Sequence, residues 1–248
     1  VFFTAINPDY GRELWITDGT NTGTLLVADI FQGMESSDIS DMTISNNLLF
    51  FSVNDSLHGK ELWISDGTVA GTHIIADINP GVSSSIPDEI VEMNGSVYFF
   101  ANDGIHGHEL WRSDGSTAGT HVVKDIFPGS VECNCSEMVN INGTLFLNAN
   151  NGTHGTELWK SNGTESGTNM VRDINLSGSS EPKNLTQIGN KLFFSAELPF
   201  YGREPWISNG TETTTHAIKD IYPGSAGSDP YYFVEINNSA VFVAGDPV

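Results

Sequence analysis

Apolar and polar residues alternate along short stretches of the chain, and each stretch ends at a Gly, Pro, Asn or Asp. Within residues 61–101, the segments ELWIS, THIIADI, EIVEM and SVYFFA are separated by DGTVAG, by NPGVSSSIPD and by Asn94-Gly95. Alternation over about four to eight residues between such turn signals predicts β-strands. No stretch keeps the apolar spacing of a helix over about ten residues, so the pattern predicts an all-β protein.

This order of four strands recurs along the whole chain. Its most regular segment reads ELWITDGT at first and returns with small changes at spacings of 48, 48, 48 and 47 residues. The five copies start at Glu13, Glu61, Glu109, Glu157 and Glu204. A period of this size is typical of stacked or ring-arranged repeat units. We therefore expect residues 1–248 to form a single domain of five tandem repeats.

Four antiparallel strands in about 48 residues are the signature of a propeller blade. Residues 97–100 are apolar on both faces of their strand, as expected where neighbouring blades cover both faces of a sheet. The sequence thus predicts a five-bladed β-propeller with four antiparallel strands per blade. Each repeat has one tryptophan, which we predict to pack between blades, with exposed platforms for sugar rings as the alternative. These residues are Trp15, Trp63, Trp111, Trp159 and Trp206.

The fifth repeat departs from the others in two places. Pro205 stands where the other repeats have Leu, and it removes a backbone donor, so we expect this strand to be an edge or to bulge. The turn that follows reads Thr213-Thr214-Thr215 in place of x-Gly-Thr. The conformation of the fifth turn is therefore left open.

The two ends of the chain carry the same strand. Residues 1–9 and 240–248 both match the fourth strand of the repeat, which thus occurs six times for five repeats. One copy is surplus, and an unpaired apolar strand favours pairing with a neighbour. It could pair within the chain or head to tail with another copy. Since Val1 already lies in a predicted strand, we also expect a processed product or part of a longer array.

Acidic residues outnumber basic ones 31 to 10, for a net charge of −21. This charge repels nucleic acid and anionic membranes, and no apolar run reaches the roughly 18 residues of a membrane span. The acids form either a hydrated surface or, in part, calcium sites, and calcium is the one cofactor they suggest. One acid per repeat is expected to cap the next turn, with calcium binding as the alternative: Asp29, Asp77, Asp125, Asp173 and Asp220.

Ten Asn-x-Ser/Thr sequons exceed the roughly four expected by chance. They lie at Asn54, Asn94, Asn134, Asn142, Asn151, Asn162, Asn175, Asn184, Asn209 and Asn237. Turn chemistry explains some of them, because Asn-Gly-Thr is also a turn sequence. The others lie at several phases of the repeat, so we predict N-glycosylation and an extracellular or cell-surface location.

The only two cysteines lie in Cys133-Asn134-Cys135. We predict a local disulfide in an oxidising compartment, with a bond to another chain as the alternative. Because the other repeats lack cysteine, the fold does not depend on this bond.

The chain shows no catalytic constellation. His58, His106 and His154 precede Gly in three repeats, but Tyr10 and Tyr201 replace them in the others, so we expect a ring that packs beside the following Glu. No G-x-S-x-G motif, phosphate loop or acid-base pair is present. We therefore predict that the protein is not an enzyme.

The segment ELWISDGTVAGTHIIADINPG, which begins at Glu61, resembles the ELWxxDGT repeat of secreted and surface proteins. The resemblance covers all five copies and implies an exported repeat protein, without catalytic residues to carry over. In architecture alone the chain is similar to five-bladed tachylectin-type lectins. We expect a structural subunit of a surface scaffold or filament, whose partners are copies of itself or neighbouring repeats; the alternative is a multivalent carbohydrate-binding lectin with sites between blades.

Overall fold

A computed structural model describes residues 1–246 of the chain. Regular structure in these residues is β, apart from one 3₁₀ turn at Glu212–Thr214. The strands form six antiparallel sheets of two to four strands, and in every sheet the strand order follows the chain. The prediction of an all-β protein is confirmed.

Sheets 1 and 6 are incomplete relative to the four-stranded sheets 2 to 5. Sheet 1 contains β1 (Phe2–Asn7), β2 (Gly11–Ile16) and β3 (Leu25–Ala28). Sheet 2 contains β4 (Ser40–Ser45), β5 (Leu48–Asn54), β6 (Lys60–Ser65) and β7 (His73–Ala76). Sheet 3 contains β8 (Asp88–Met93), β9 (Ser96–Asn102), β10 (His108–Ser113) and β11 (His121–Lys124). Sheet 4 contains β12 (Ser136–Ile141), β13 (Thr144–Asn150), β14 (Thr156–Ser161) and β15 (Asn169–Arg172). Sheet 5 contains β16 (Lys183–Ile188), β17 (Lys191–Leu198), β18 (Gly202–Ser208) and β19 (His216–Ala217), and sheet 6 contains β20 (Tyr231–Ile236) and β21 (Ser239–Val243).

The chain falls into two compact units, Val1–Val122 and Val123–Val248. In the first unit, sheet 2 is buried on both faces. Leu49, Phe51 and Val53 pack with residues of sheet 1, whereas Phe50 and Leu62 pack with residues of sheet 3. The strands therefore lose the strict alternation of a sheet with one wet face, as the sequence predicts.

The second unit repeats this packing between sheets 4 and 5. Phe146 and Leu158 of sheet 4 form one cluster with Leu192, Phe194 and Trp206 of sheet 5. The first strands of successive sheets also lie side by side, β12 against β16 and β16 against β20. In the first unit, β4 lies against β8 in the same way, and Thr43 Oγ1 donates to Ile90 O at 2.6 Å.

The sheets begin at a different point of the repeat from the one the sequence suggested. The ELW-type strand does not open a sheet; it is the third of four strands and pairs with the strand that precedes it, as in Trp111 opposite Phe99. The connection that joins two sheets is the Pro-, Gly- and Ser-rich segment after the D-I pair. A four-strand repeat counted from Glu61 thus takes two strands from each of two sheets.

We expected the strand of Pro205 to be an edge or to bulge, and the first of these two expectations is wrong. Its strand β18 pairs with β17 on one side and β19 on the other. Ile218 N donates to Pro205 O at 2.7 Å, so the backbone of this residue faces β19. Strand β18 pairs with β19 through Trp206 and Ile207. The N–H group that Pro205 lacks would therefore face β19, just beyond the end of this short ladder.

Both end segments are strands of the same type. Residues 1–9 contain β1, which pairs with β2, and residues 240–248 contain most of β21, which pairs with β20. The last two residues of the predicted segment lie outside the described residues. The fifth turn, left open by the sequence, contains the 3₁₀ turn Glu212–Thr214 and keeps the hydrogen bond between Ser208 Oγ and Thr215 Oγ1 at 2.8 Å.

Candidate functional site

The S-D-G-T-x-x-G-T segment is held together by its own side chains. Asp66 Oδ1 accepts hydrogen bonds from Thr68 N at 2.9 Å and Thr68 Oγ1 at 2.7 Å, and Thr68 Oγ1 accepts from Gly71 N at 3.0 Å. Thr72 Oγ1 bonds to Ser65 Oγ at 2.7 Å. A Cβ at Gly71 would lie 2.0 Å from Asp66 Oδ1, which is why only Gly fits. The most recognisable motif of the chain therefore builds a turn.

The glutamate of each ELW-type segment is buried, which the sequence pattern did not predict. Glu61 has no exposed surface. Its carboxylate accepts hydrogen bonds from Ile78 N at 3.0 Å, Ser85 N at 2.9 Å and Ser85 Oγ at 2.5 Å. It thus ties its strand to the turn after β7 and to the loop before β8. Burial raises the pKa of Glu61 to about 7, although hydrogen bonds from Ser85 and Ile78 oppose that shift.

The same cross-link recurs in both units. Glu157 accepts from Ile174 N at 2.9 Å and Ser180 Oγ at 2.6 Å, and Glu204 accepts from Ser228 Oγ at 2.6 Å. Burial raises the pKa of Glu13 and of Glu157. A serine follows each of these glutamates by about half of one repeat. This spacing is the sequence signal from which the cross-link could have been predicted, since a buried carboxylate needs hydrogen-bond donors.

The buried serine begins a three-residue turn with a left-handed middle residue. In Ser85-Ile86-Pro87 the middle φ is 50°, which is unusual for a β-branched side chain. Both Ser85 N and Ile86 N donate to Lys60 O at 3.1 Å and hold the turn. The same left-handed geometry occurs at Glu181 and Asp229 in the corresponding positions.

The two cysteines occupy this turn in sheet 4. Asn150 N donates to Cys133 O at 2.7 Å, as Asn102 N donates to Ser85 O at 2.9 Å, so Cys133 stands where other repeats have serine. Cys133 and Cys135 are joined by a disulfide, with their Cα atoms 5.1 Å apart. The bond closes a turn that proline restricts elsewhere. Its place in the fold is therefore that of a local brace.

The histidines pair with the residue three positions earlier, a partner that the sequence did not predict. His58 Nδ1 lies 2.5 Å from Asp55 Oδ2, and hydrogen bonding to Asp55 raises the pKa of His58. In another repeat His154 Nδ1 lies 3.1 Å from Asn151 Nδ2, and His154 N donates to Asn151 Oδ1. An amide replaces the acid there with the loop intact. The pair therefore shapes a loop in each case.

The five tryptophans lie at differing depths. Trp111 is 8% exposed and belongs to a cluster with Phe50 and Ile75 of sheet 2. Trp206 packs with residues of sheet 4, Trp159 is buried, and Trp63 is half-buried against sheet 1. Trp15 is also half-buried. Four of the indole Nε1 atoms are buried with no hydrogen-bond partner among the described residues: those of Trp15, Trp63, Trp111 and Trp159.

The aspartate of the D-I pair receives a backbone hydrogen bond from the next turn. Gly81 N donates to Asp77 Oδ2 at 3.1 Å, and Gly33 N donates to Asp29 Oδ2 at 3.3 Å, which is the capping geometry that the sequence suggested. The second oxygen, Oδ1, is buried with no partner among the described residues in Asp29, Asp125, Asp173 and Asp220.

The ten sequon asparagines differ in exposure. Six are exposed: Asn94, Asn134, Asn142, Asn162, Asn209 and Asn237. Asn54, Asn151 and Asn184 are half-buried. Asn175 is only 8% exposed, and its Nδ2 donates to Ser179 O at 2.8 Å. A glycan on the Asn175 nitrogen would have to displace this hydrogen bond, so the folded chain does not favour it as an acceptor.

Sheet 6 exposes apolar side chains that its position in the repeat would normally bury. Ile236 is 52% exposed, whereas its counterparts Met93, Ile141 and Ile188 are buried. On β21, Val241 and Val243 are about half exposed, at 46% and 48%. Among the described residues β21 has one strand neighbour, β20. In sheets 2 to 5, the second strand uses the corresponding backbone N–H and C=O groups to pair with an ELW-type strand.

None of the helical structure in residues 1–246 has the length and apolarity needed to cross a bilayer.

Comparison with known proteins gives the fold alone. No protein-family model matches the chain, and no curated protein matches it. Solved structures do match. The computationally designed Ika8 protein is 15% identical, with 99% of this chain and 65% of that chain covered and a TM-score of 0.50. TolB from Acinetobacter baumannii is 11% identical, with 97% and 59% covered and a TM-score of 0.50.

A third similar structure is that of puromycin hydrolase, which is 14% identical, with 94% of this chain and 37% of that chain covered and a TM-score of 0.54. The chain thus spans less than two thirds of the length of each of these proteins. These likenesses place the chain among β-rich, propeller-like folds. At such identities they carry no activity over to it.

Proposed function

We propose that the chain is a non-enzymatic extracellular scaffold protein, a five-bladed β-propeller of the ELWxxDGT type that carries N-linked glycans and assembles head to tail. The observation that carries the proposal is sheet 6, which has two strands and one unpaired edge among the described residues and exposes apolar side chains. An isolated two-stranded hairpin is only marginally stable in water. A third strand added at β21 would cover this edge.

The type of partner follows from the complete sheets. In sheets 2 to 5 the second strand always pairs with an ELW-type third strand, so the edge of β21 has the register for such a strand. By comparison with sheets 2 to 5, β20 and β21 occupy the positions of the first two strands, and β2 and β3 occupy the positions of the last two. Together they would make one four-stranded sheet, with β1 as the competitor of β21.

Assembly between copies then follows from geometry. If β20 and β21 of one copy add to β2 of the next, each copy offers one pair of donated strands and one strand that accepts such a pair. Such a heterologous contact extends into a chain or filament unless the rotation closes it. A further repeat of the same kind could occupy the same edge, which makes neighbouring repeats the second class of partner.

The roles of the repeated polar residues support a non-enzymatic function. Glu61 and Asp66 hold backbone and hydroxyl groups of loops and turns. The acid of the His58 loop is replaced by Asn151 in another repeat without loss of the loop. Repeated side chains that are fully used in the fold leave little for chemistry.

The extracellular part of the proposal rests on the exposed sequons and on the disulfide. Six sequon asparagines are exposed on turns and loops where a glycan meets solvent. The Cys133–Cys135 bond fits an oxidising compartment. The expected glycans would also limit lateral contacts and leave the sheet edges as assembly surfaces.

The test is the concentration dependence of the mass of the purified chain, by light scattering and sedimentation, together with electron micrographs. The matched variants are Ala240→Pro and Ala240→Thr. The backbone of Trp206 faces β17 opposite Phe194, and by the same register the N–H groups of Ala240 and Phe242 face the open edge. Proline at position 240 therefore removes one edge donor, whereas threonine keeps it.

We expect head-to-tail polymers from the parent chain and from the threonine variant, and shorter ones or none from the proline variant. Deleting residues 1–7 removes the competitor β1 and should lengthen the polymers. A chain that stays monomeric at every concentration, with or without residues 1–7, would refute assembly between copies.

A further inference from the structure

Sheet 5 exposes an apolar position that the other sheets bury. Ile218, the residue after β19, is 43% exposed. The same position of the other repeats is at most 7% exposed in Val27, Ile75, Val123 and Val171. Ile221 is half-buried, whereas the other repeats bury an isoleucine there. Strand β20 of sheet 6 lies against β16 and β17, the first two strands of sheet 5. The exposed apolar surface therefore adjoins the last two strands, β18 and β19.

The complete sheets show what covers this position. Trp111 of sheet 3 lies in one cluster with Ile75 of sheet 2. Trp206 of sheet 5 lies in one cluster with Val171 of sheet 4, and Trp63 of sheet 2 packs against the cluster of sheet 1 that contains Val27. In each case the tryptophan of the following sheet helps to bury the residue that corresponds to Ile218.

A basic residue beside this position links successive sheets. Lys124 Nζ donates to Thr168 O at 3.0 Å, and Arg172 Nη1 donates to Thr215 O, in each case at the turn before the last strand of the following sheet. The guanidinium carbon of Arg172 also lies 6.0 Å from the ring centroid of Trp206, within the range of a cation–π contact. Lys219 stands at the same position of the fifth repeat and is exposed. Ile218, Lys219 and Ile221 together form the open face of sheet 5.

The occupant of this face follows from the repeat. The open face corresponds to surfaces that the ELW-type strand and the last strand of a following sheet cover, and in the proposed assembly the next copy supplies these strands as β2 and β3. In them, Trp15 and Thr24 stand where sheet 5 has Trp206 and Thr215. We infer that β2 and β3 of a second copy cover the open face, with Trp15 against Ile218 and with Lys219 Nζ donating to Thr24 O.

This inference rests on the proposed head-to-tail assembly and adds a second contact surface to it. The edge of β21 offers backbone hydrogen bonds, whereas the open face offers burial of apolar side chains and one cation. The two surfaces can be tested separately, because substitutions at the open face leave β20 and β21 unchanged.

The first test places one thiol on each surface. Lys219→Cys and Leu25→Cys are made in separate chains, mixed, and treated with a short bismaleimide. The salt concentration is 0.15 M, where repulsion between the acidic copies is screened beyond about 8 Å. Leu25 follows Thr24 and is exposed, and the parent chain has no free cysteine. Each chain carries one new thiol, so a covalent pair can form only between copies, and mass spectrometry of the linked peptides identifies it. The control is Ile105→Cys, in the loop after β9, mixed with Leu25→Cys.

The second test removes the apolar contact. Ile218→Asp places a charge on the open face, and Ile105→Asp makes the same change at an isoleucine that is 69% exposed. Association of each variant is measured by sedimentation at increasing concentration. Ile218 is already partly exposed in the single chain, so the variant should fold, and thermal unfolding checks this. If Ile218→Asp does not fold, the cross-linking result decides.

We expect a cross-link between residues 219 and 25 and little or none between residues 105 and 25. Ile218→Asp should weaken association by about tenfold or more, whereas Ile105→Asp should leave it unchanged. Polymers of the parent chain without the 219–25 cross-link, or equal association of the two aspartate variants, would overturn this inference and leave the edge of β21 as the assembly surface. A parent chain that stays monomeric at every concentration would be a different result, because it would refute the proposed assembly and this inference with it.

Discussion

Replacing Glu61 by glutamine tests how a buried carboxylate is held in this fold. The side chain has no exposed surface, and three donors of 2.5 to 3.0 Å converge on it from Ile78 and Ser85. Burial opposes the charged form and the donors favour it. The pKa of about 7, against an ordinary value of 4.5, means that burial has the larger effect.

The sign of the pH dependence follows from this direction. Because the folded pKa lies above the unfolded one, the stabilisation is fully present below pH 4.5 and is lost as the pH rises through 7. The pKa difference, at about 1.4 kcal/mol for each unit, corresponds to about 3 kcal/mol. Glu61→Gln cannot titrate, so this part of the pH dependence should vanish in the variant.

The assay is urea unfolding of the parent chain and the Glu61→Gln variant at several values between pH 4.5 and 8, followed by tryptophan fluorescence. The difference in unfolding free energy between parent and variant should fall by about 3 kcal/mol over this range. Glu35→Gln, which removes an exposed carboxyl, should keep the pH dependence of the parent. A parent that gains stability relative to Glu61→Gln as the pH rises would refute the reasoning, because the hydrogen bonds would then outweigh burial.

Three further outcomes are expected. Gly71→Ala places a Cβ 2.0 Å from Asp66 Oδ1 and should lower the unfolding free energy by about 1–3 kcal/mol in denaturant titrations. The double variant Cys133→Ser with Cys135→Pro should change stability by less than about 1 kcal/mol, because the disulfide closes a very short loop and Ser-x-Pro serves the same turn elsewhere. Glycopeptide mass spectrometry of the secreted chain should find glycans on the exposed sequons and none on Asn175.

Each of these outcomes has a control. Gly178→Ala meets its nearest atom at 3.9 Å, so it should be tolerated, and equal losses at the two glycines would contradict the steric argument. A loss well above 1 kcal/mol in the double cysteine variant would show that the disulfide does more than replace the proline. Full occupancy of Asn175 would mean that its burial in the folded chain does not limit the modification.

The period of the repeat and the strands within it could be predicted from the sequence, but the limits of each sheet could not. Any cyclic shift of a four-strand repeat has the same strand order, so Glu61 was a natural but wrong starting point. The connection between β7 and β8 is longer than the two-residue Asn94-Gly95 turn or the turn at Asp66. Long connections favour a crossing between sheets, and that difference in length was the usable signal.

The burial of Glu61 could not be predicted from its own neighbourhood. A charged residue at a strand position is ordinarily exposed, and its donors lie 17 and 24 residues further along the chain. The prediction that Pro205 lies in an edge strand was wrong for a related reason. Whether a missing N–H matters depends on which side of the strand it faces, and this is a property of the register and not of the residue.

The buried glutamate also affects which changes in the number of repeats the fold can tolerate during evolution. The donors of Glu61, Glu157 and Glu204 lie no more than 24 residues further along the chain, which is about half of one repeat. A duplication or deletion of one whole period carries the acid and its donors together and leaves no orphaned charge in the interior. Insertion or deletion of one whole repeat therefore leaves no buried carboxylate without hydrogen-bond donors. A chain interrupted between Glu61 and Ser85 would instead bury Glu61 without its donors from Ser85.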